Sequence, residues 1–150
     1  MNREDRVMGD ADAVAKVMTR DLHFVTPETS IMNAALRMRL ADVGAVLVME
    51  GEYLYGILTD RDIVVRAISS GRNPETTSAG AICSRDITTI SPRASAGQAV
   101  RLMREKALRR LPVVDDETGR VIGILSIADI AIERDRRSLL GDISAAPGNV

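Results

Sequence analysis

Two hydrophobic periods alternate along the chain. Ile31, Ala34, Ala35 and Met38 are spaced i, i+3, i+4, i+7, the apolar stripe of a helix. Ala96, Ala99, Val100 and Met103 repeat that spacing, and Ser95 with Gln98 forms a capping box just ahead of them. Between the stripes the period changes. Residues 45–49 and 111–114 are continuous apolar runs, as expected of strands buried on both faces. The turns 50–52 and 115–119 follow, and 53–58 and 121–125 return as further strands. Residues 24–26 and 87–90 are short β-rich runs closed by Pro27 and Pro92, and helices are predicted over 60–69 and from 127 to about 136. Each half therefore predicts the order β-α-β-β-α, an α/β fold. A lead-in helix is expected around 11–17, and the polar stretch 69–78 predicts a loop. The tail from Ser144 to Val150 is expected to fray.

The halves are copies. Val17-Met18-Thr19-Arg20-Asp21 aligns with Ile82-Cys83-Ser84-Arg85-Asp86, and Pro27 and Pro92 lie 65 positions apart. Gly56-Ile57-Leu58-Thr59-Asp60-Arg61-Asp62-Ile63 aligns with Gly123-Ile124-Leu125-Ser126-Ile127-Ala128-Asp129-Ile130 at an offset of 67. The two extra residues fall in the turn 115–119. The order predicts a first repeat over 12–69 with its lead-in helix, a linker over 70–80, a second repeat over 81–136 and a tail over 137–150. A repeat of about 55 residues is too small to bury a comfortable core alone, so the two are expected to pack as one pseudo-symmetric unit.

Composition narrows the function classes. The chain has 150 residues, 20 Lys and Arg against 21 Asp and Glu, and a net charge of -1. That balance argues against a broad nucleic-acid surface. Aromatic residues make up only 2%, so a stacking platform for single strands has little to work with. One cysteine excludes a disulfide scaffold. No apolar run of membrane-spanning length occurs, the first residues lack the apolar stretch of a secretory signal, and a cytoplasmic location is expected. Basic residues do cluster at Arg101, Arg104, Lys106, Arg109 and Arg110, but acidic neighbours make a solvated helix face the simpler reading. No nucleophile motif, P-loop or Gly-x-Gly-x-x-Gly occurs. No Cys/His cluster suggests a metal site. The expectation is a protein that is not an enzyme.

Thr59-x-x-Asp62 and Ser126-x-x-Asp129 carry the candidate chemistry. Each sits between a strand and a helix, where a hydroxyl and a carboxylate three residues apart can form a capping box. The same place can also recognise a ligand, through the hydroxyl and the helix N-terminus. Arg61 adds a guanidinium suited to phosphate in the first motif. Ile127 and Ala128 leave the second motif uncharged, so a nucleoside-like group is easier to satisfy there. His23, the only histidine, reads either as an edge residue or as a phosphate contact. Cys83, aligned with Met18, reads as a packing residue.

The paired Thr26-Pro27 and Ser91-Pro92, the strand Leu111-Pro112-Val113-Val114-Asp115 and the doubled Gly-Ile-Leu-Thr/Ser-x-x-Asp resemble the tandem CBS domain pair, or Bateman module, over about residues 12–135. The string from Leu58 to Val65 resembles the small stand-alone bacterial pairs, including the mycobacterial hypoxic response type. The resemblance implies two pseudo-symmetric repeats with two equivalent clefts, and adenosyl ligands such as AMP, ADP, ATP, S-adenosylmethionine or NAD, with no cofactor required. It implies that each motif aspartate accepts from a ribose. It also implies that Ser126 and Asp129 face Leu22-His23 and Val43-Gly44, while Thr59 and Asp62 face Ile87-Thr88 and Leu108-Arg109. Without aromatic rings, an adenine would lie against aliphatic and backbone surfaces. The expected function is a regulatory sensor that binds an adenine nucleotide as a homodimer. The alternative is a ligand-free interaction module acting on an unknown client protein.

Overall fold

The computed structural model describes residues 13–145, and the side chains of 13–138. The chain is mixed α/β. In order it forms α1 (Val14–Val17), β1 (Phe24–Val25), α2 (Ile31–Ala41), β2 (Ala45–Glu50), β3 (Tyr53–Thr59), α3 (Asp60–Asp62), α4 (Ala79–Ile82), α5 (Ala96–Lys106), β4 (Arg110–Val114), β5 (Val121–Ser126) and α6 (Ile127–Ala145). The expected residues Ala11 and Asp12 of the lead-in helix, and the tail beyond Ala145, lie outside the described residues.

Two compact units emerge. One comprises 21–88 with 117–122, and the other 13–20, 89–116 and the chain from 123 onward. The segment that precedes each repeat in sequence thus belongs to the unit of the other. The lead-in helix, grouped with the first repeat in sequence order, donates Val14 N–H to Ala94 C=O at 2.8 Å and Ala15 N–H to Pro92 C=O at 3.0 Å. Thr19 and Ile124 exchange both backbone hydrogen bonds, at 2.9 and 3.0 Å. The counterpart in the other unit is Ser84 with Ile57, which exchange theirs at 2.9 and 3.0 Å.

In the first unit β1 pairs parallel with β2, which pairs antiparallel with β3. The α2 stripe is buried as its spacing predicts: Ile31, Ala34 and Met38 pack with Val25, Val46, Val48, Leu58, Ile63, Ala67, Ala79, Ile82 and Cys83. Ser30 caps α2, its Oγ accepting from Asn33 N–H at 3.2 Å. Val46 to Met49 are all buried, as expected for a strand covered on both faces. In the second unit β4 pairs with β5, and α5 starts at the predicted capping box: Ser95 Oγ accepts from Gln98 N–H at 3.1 Å, and Gln98 Oε1 from Ser95 N–H at 3.0 Å. Val14, Met18, Ile90, Ala96, Ala99, Met103, Leu111, Val113, Leu125 and Ile130 are among its buried apolar residues.

Three of the expected elements take a different form, and α4 begins within the stretch 70–80 expected to be a linker. The strand predicted at 87–90 shrinks to one parallel bridge between Ile90 and Val113. In the first unit Leu47 N–H donates to His23 C=O at 3.0 Å. The aligned residues are Pro112 and Thr88, and proline has no N–H to donate, so the ladder stops. The helix predicted at 60–69 is helical throughout but irregular: α3 passes into a π-helical segment Ile63–Ala67 and a 3-10 turn Ile68–Ser70. Ile68 N–H reaches back to Ile63 C=O, in a stretch holding the β-branched run Ile63-Val64-Val65. Ser69 also donates its hydroxyl to Val65 C=O. Finally, α6 runs on from the expected end near 136 to Ala145.

Candidate functional site

Both motif turns are complete capping boxes. Thr59 Oγ1 accepts from Asp62 N–H at 3.1 Å, and Asp62 Oδ2 accepts from Thr59 N–H at 2.9 Å. Ser126 Oγ accepts from Asp129 N–H at 3.0 Å, and Asp129 Oδ2 accepts from Ser126 N–H at 2.9 Å. A strand must hand over directly to a helix here, and the reciprocal pair satisfies two backbone donors at that junction. In each carboxylate one oxygen is thereby fixed. Asp62 directs its second oxygen, Oδ1, toward Arg66 Nε, 3.7 Å away. The Asp62 side chain is only 15% exposed.

The start of each helix has a third partner. Asp60 N–H donates to Gly44 C=O at 3.0 Å, and Ile127 N–H donates to Arg109 C=O at 2.9 Å. Gly44 and Arg109 are 65 positions apart and occupy equivalent places in the two repeats. A β-carbon on Gly44 would come within 3.2 Å of Asp60 Oδ2, so the strand start runs close under the first turn. Gly44 therefore lies beside Thr59 and Asp62 within one unit, and Arg109 beside Ser126 and Asp129 within the other. This adjacency was not foreseen. Its only sequence signal is the shared register of the two repeats.

Backbone donors at the first turn are used internally. Arg61 N–H donates to Asp60 Oδ1 at 2.8 Å. With Asp60 on Gly44 and Asp62 on Thr59, the N–H groups of all three α3 residues are satisfied, so the helix start offers a ligand side chains rather than free amides. The equivalent of Asp60 is Ile127, whose side chain cannot accept from Ala128 N–H. The Arg61 side chain is exposed and, among the described residues, forms no ion pair. Arg109 is likewise exposed.

His23 is partly exposed, with Nε2 3.8 Å from Asp21 Oδ2, and it lines a groove of about 740 Å³ with Phe24, Thr29, Leu36, Arg37 and Leu40. Val43 packs against the first unit's core, with its N–H on Met38 C=O at 3.0 Å. Leu108 N–H donates to Met103 C=O at 2.8 Å, the same helix-closing bond in the second unit. Thr88 is a half-buried residue in the irregular stretch ahead of Ile90. Cys83 is buried, and its thiol contacts Gly80 C=O at 3.7 Å. Burial raises its pKa, and Arg85 nearby works against that shift. Sequence reasoning missed Asp60 and Arg66. The i, i+4 spacing of Asp62 and Arg66 was available as a signal. Among the described residues no group of three or more His, Cys, Asp and Glu could hold a metal ion, and no helix is long and apolar enough to cross a membrane.

Two α/β repeats, each closed by a hydroxyl–carboxylate turn between its last strand and helix, define a tandem-repeat regulatory module. The chain belongs to the CBS domain family, whose profile matches residues 14–68 and 79–135. Among curated relatives it is 36% identical over 119 residues to the uncharacterized protein MK0525 of Methanopyrus kandleri, covering 79% of this chain but only 60% of that protein's length. It is 34% identical over 122 residues to the CBS domain-containing protein YhcV of Bacillus subtilis, covering 81% of this chain and 85% of YhcV. It is 34% identical over 116 residues to hypoxic response protein 1 of Mycobacterium tuberculosis, covering 77% of this chain and 80% of that protein. Among solved structures, Hypoxic Response Protein I with two coordinated zinc ions superposes with a TM-score of 0.72 at 32% identity, covering 81% of this chain and 98% of that one. CBSX2 in complex with AMP superposes with a TM-score of 0.72 at 25% identity, covering 84% of this chain and 98% of that one.

Proposed function

We propose that this CBS pair is a non-catalytic sensor that binds an adenosyl nucleotide of the AMP, ADP or ATP class at its two motif turns and acts as a homodimer. The observation that carries this reading is the state of the motif carboxylates. Each aspartate is locked in place by its capping box through one oxygen, and the other, which in Asp62 is also steadied by Arg66, keeps lone-pair capacity to accept from ribose hydroxyls. A carboxylate held this way loses little entropy on binding. The AMP complex of CBSX2 supports the ligand class.

Thr59 and Asp62 hold the ligand in the first repeat, and Ser126 and Asp129 in the second. Arg61 supplies the phosphate contact, since its guanidinium is exposed while the backbone donors around it are taken. His23, Val43, Gly44, Thr88, Leu108 and Arg109 line the ligand. The mechanism is a population shift: the ligand favours one arrangement of the chain and so alters a surface that a client protein reads. Exposed Met32, Leu36 and Leu40 on α2, with Val64, Val65 and Ile68 after α3, supply apolar surface for a second copy. Calorimetry with AMP, ADP, ATP, S-adenosylmethionine and NAD tests the ligand, and light scattering tests the dimer. No heat with any of the five, on protein freed of co-purified ligand, overturns the reading.

The complete capping boxes also favour a second reading, a ligand-free interaction module in which both motifs serve only as caps. In that case Asp62→Ala lowers the melting temperature and changes no ligand response.

A further inference from the structure

The residue four positions beyond each motif aspartate differs in sign between the repeats. In the first repeat it is Arg66. Its Nε stands 3.7 Å from Asp62 Oδ1, and its Nη1 donates to Ile82 C=O at 3.3 Å. The guanidinium is thus anchored at both ends, one helical turn from the motif. In the second repeat the same place holds Glu133, one turn beyond Asp129 on α6. Residues four apart share a helix face, so Glu133 adds a second negative charge on the side of Asp129. It pairs with Arg137, one turn further on, at 3.4 Å. The immediate charges thus nearly cancel around Asp62, where Asp60 and Arg61 also balance, whereas the place one turn beyond Asp129 adds to its negative charge, the cations of α6, Arg134, Arg136 and Arg137, following further along the helix and Arg109 standing just ahead of β4.

We propose that this position sorts adenosyl ligands by charge, Arg66 fitting the first-repeat turn to a phosphorylated adenosine and Glu133 weakening the second-repeat turn's hold on the phosphate and so biasing it toward adenosyl groups of lower negative charge. The inference rests on the proposed adenosyl binding and deepens it. Arg66 acts in two ways. It is a positioning residue, because it holds Asp62 Oδ1 from the side away from the backbone cap. It is also a cation whose field favours an anion at the turn. A glutamate can do neither: it repels the carboxylate it would have to hold, and it cannot donate to a carbonyl. Exchanging a cation for an anion within about 8 Å of a phosphate changes affinity by roughly tenfold at moderate salt, whereas an uncharged nucleoside is nearly indifferent to it.

Calorimetric titration of the full chain with AMP and with adenosine tests this in the wild type, Arg66→Gln, Arg66→Glu and Glu133→Arg. The readout is the ratio of the two dissociation constants, which a merely structural role would leave unchanged. Arg66→Glu is expected to shift the ratio about tenfold toward adenosine. Arg66→Gln, which keeps a donor for Ile82, should shift it about threefold the same way. Glu133→Arg should shift it toward AMP. Equal weakening of both ligands in the Arg66 variants, or an unchanged ratio in all three, overturns the charge sorting while leaving adenosyl binding intact. Binding of neither ligand to the wild type overturns the adenosyl reading itself, and this inference with it.

Discussion

Cys83 Sγ lies 2.6 Å from the point where a β-carbon on Gly56 would stand, and the carbonyl of Ser84 lies 2.7 Å from it. The lead-in segment therefore crosses β3 where only a glycine permits it. Gly123 and Met18 repeat the relationship in the other unit. The two sites should respond differently to an added methyl. At Gly56 the obstacle includes backbone that two hydrogen bonds between Ile57 and Ser84 hold in place. At Gly123 the nearest atoms belong to the end of the Met18 side chain, which can swing aside, and Thr19 C=O is 3.1 Å away. Gly56→Ala should cost about 2–3 kcal/mol and Gly123→Ala about 1 kcal/mol, read from thermal or urea unfolding. Equal costs, or a larger one at Gly123, would contradict this geometry.

Pro112 should be the reason that 87–90 is not a strand. Pro112→Leu restores the N–H that Leu47 supplies in the first repeat. Hydrogen exchange should then show a protected amide at position 112, bonded to Thr88 C=O. The new bond adds about 1 kcal/mol, and the lost proline restraint removes about as much, so net stability should change by less than about 1 kcal/mol. A fast-exchanging amide at 112 would show that something other than the missing donor ends the ladder.

The capping boxes give a stability prediction independent of any ligand. Asp62→Ala and Asp129→Ala each remove an acceptor from a backbone N–H and should cost about 0.5–2 kcal/mol. Asp62→Asn keeps an oxygen acceptor and should cost clearly less in unfolding measurements. An asparagine as damaging as the alanine would mean that charge, not the hydrogen bond to Thr59 N–H, is what the turn needs.

Cys83 should make the fold sensitive to alkaline pH. Burial raises its pKa above the ordinary thiol value of about 8.5, opposed in part by Arg85, which donates Nε–H to Tyr55 C=O at 2.7 Å and stacks over that ring. The folded chain then keeps its thiol proton where the unfolded chain loses it. Stability is unaffected by this group below the unfolded pKa and falls as pH rises from there through the folded value. Urea unfolding from pH 7 to pH 10 should show this decline, and Cys83→Ser should flatten it. A wild type and a serine variant with parallel pH profiles would contradict the assignment.

Much of the fold was legible because its signals are local. The α2 stripe, the α5 capping box and the doubly buried β2 each follow from spacing within a dozen residues. The crossing of the lead-in segments was not legible, because the bonds from Thr19 to Ile124 and from Ser84 to Ile57 join residues that no periodicity connects. The loss of the 87–90 strand turned on one missing N–H at a residue 24 positions away. At the site, the hydroxyl and carboxylate of each motif were readable as capping boxes, and they form. Asp60 and Arg66 escaped notice because a charged residue on a helix reads by default as solvated. Only the structure shows Asp60 covering Arg61 N–H and Arg66 joining Asp62 to Ile82.

The central claim is that the two motif aspartates bind an adenosyl nucleotide. Its most direct test is AMP titration of ligand-stripped wild type, Asp62→Ala, Asp129→Ala and the double variant, each confirmed folded at the assay temperature. AMP should bind the wild type, Asp62→Ala should weaken it more than Asp129→Ala because Arg61 and Arg66 belong to the first turn, and the double variant should not bind. AMP binding that survives in the double variant, or equal losses in the two single variants, would contradict the account.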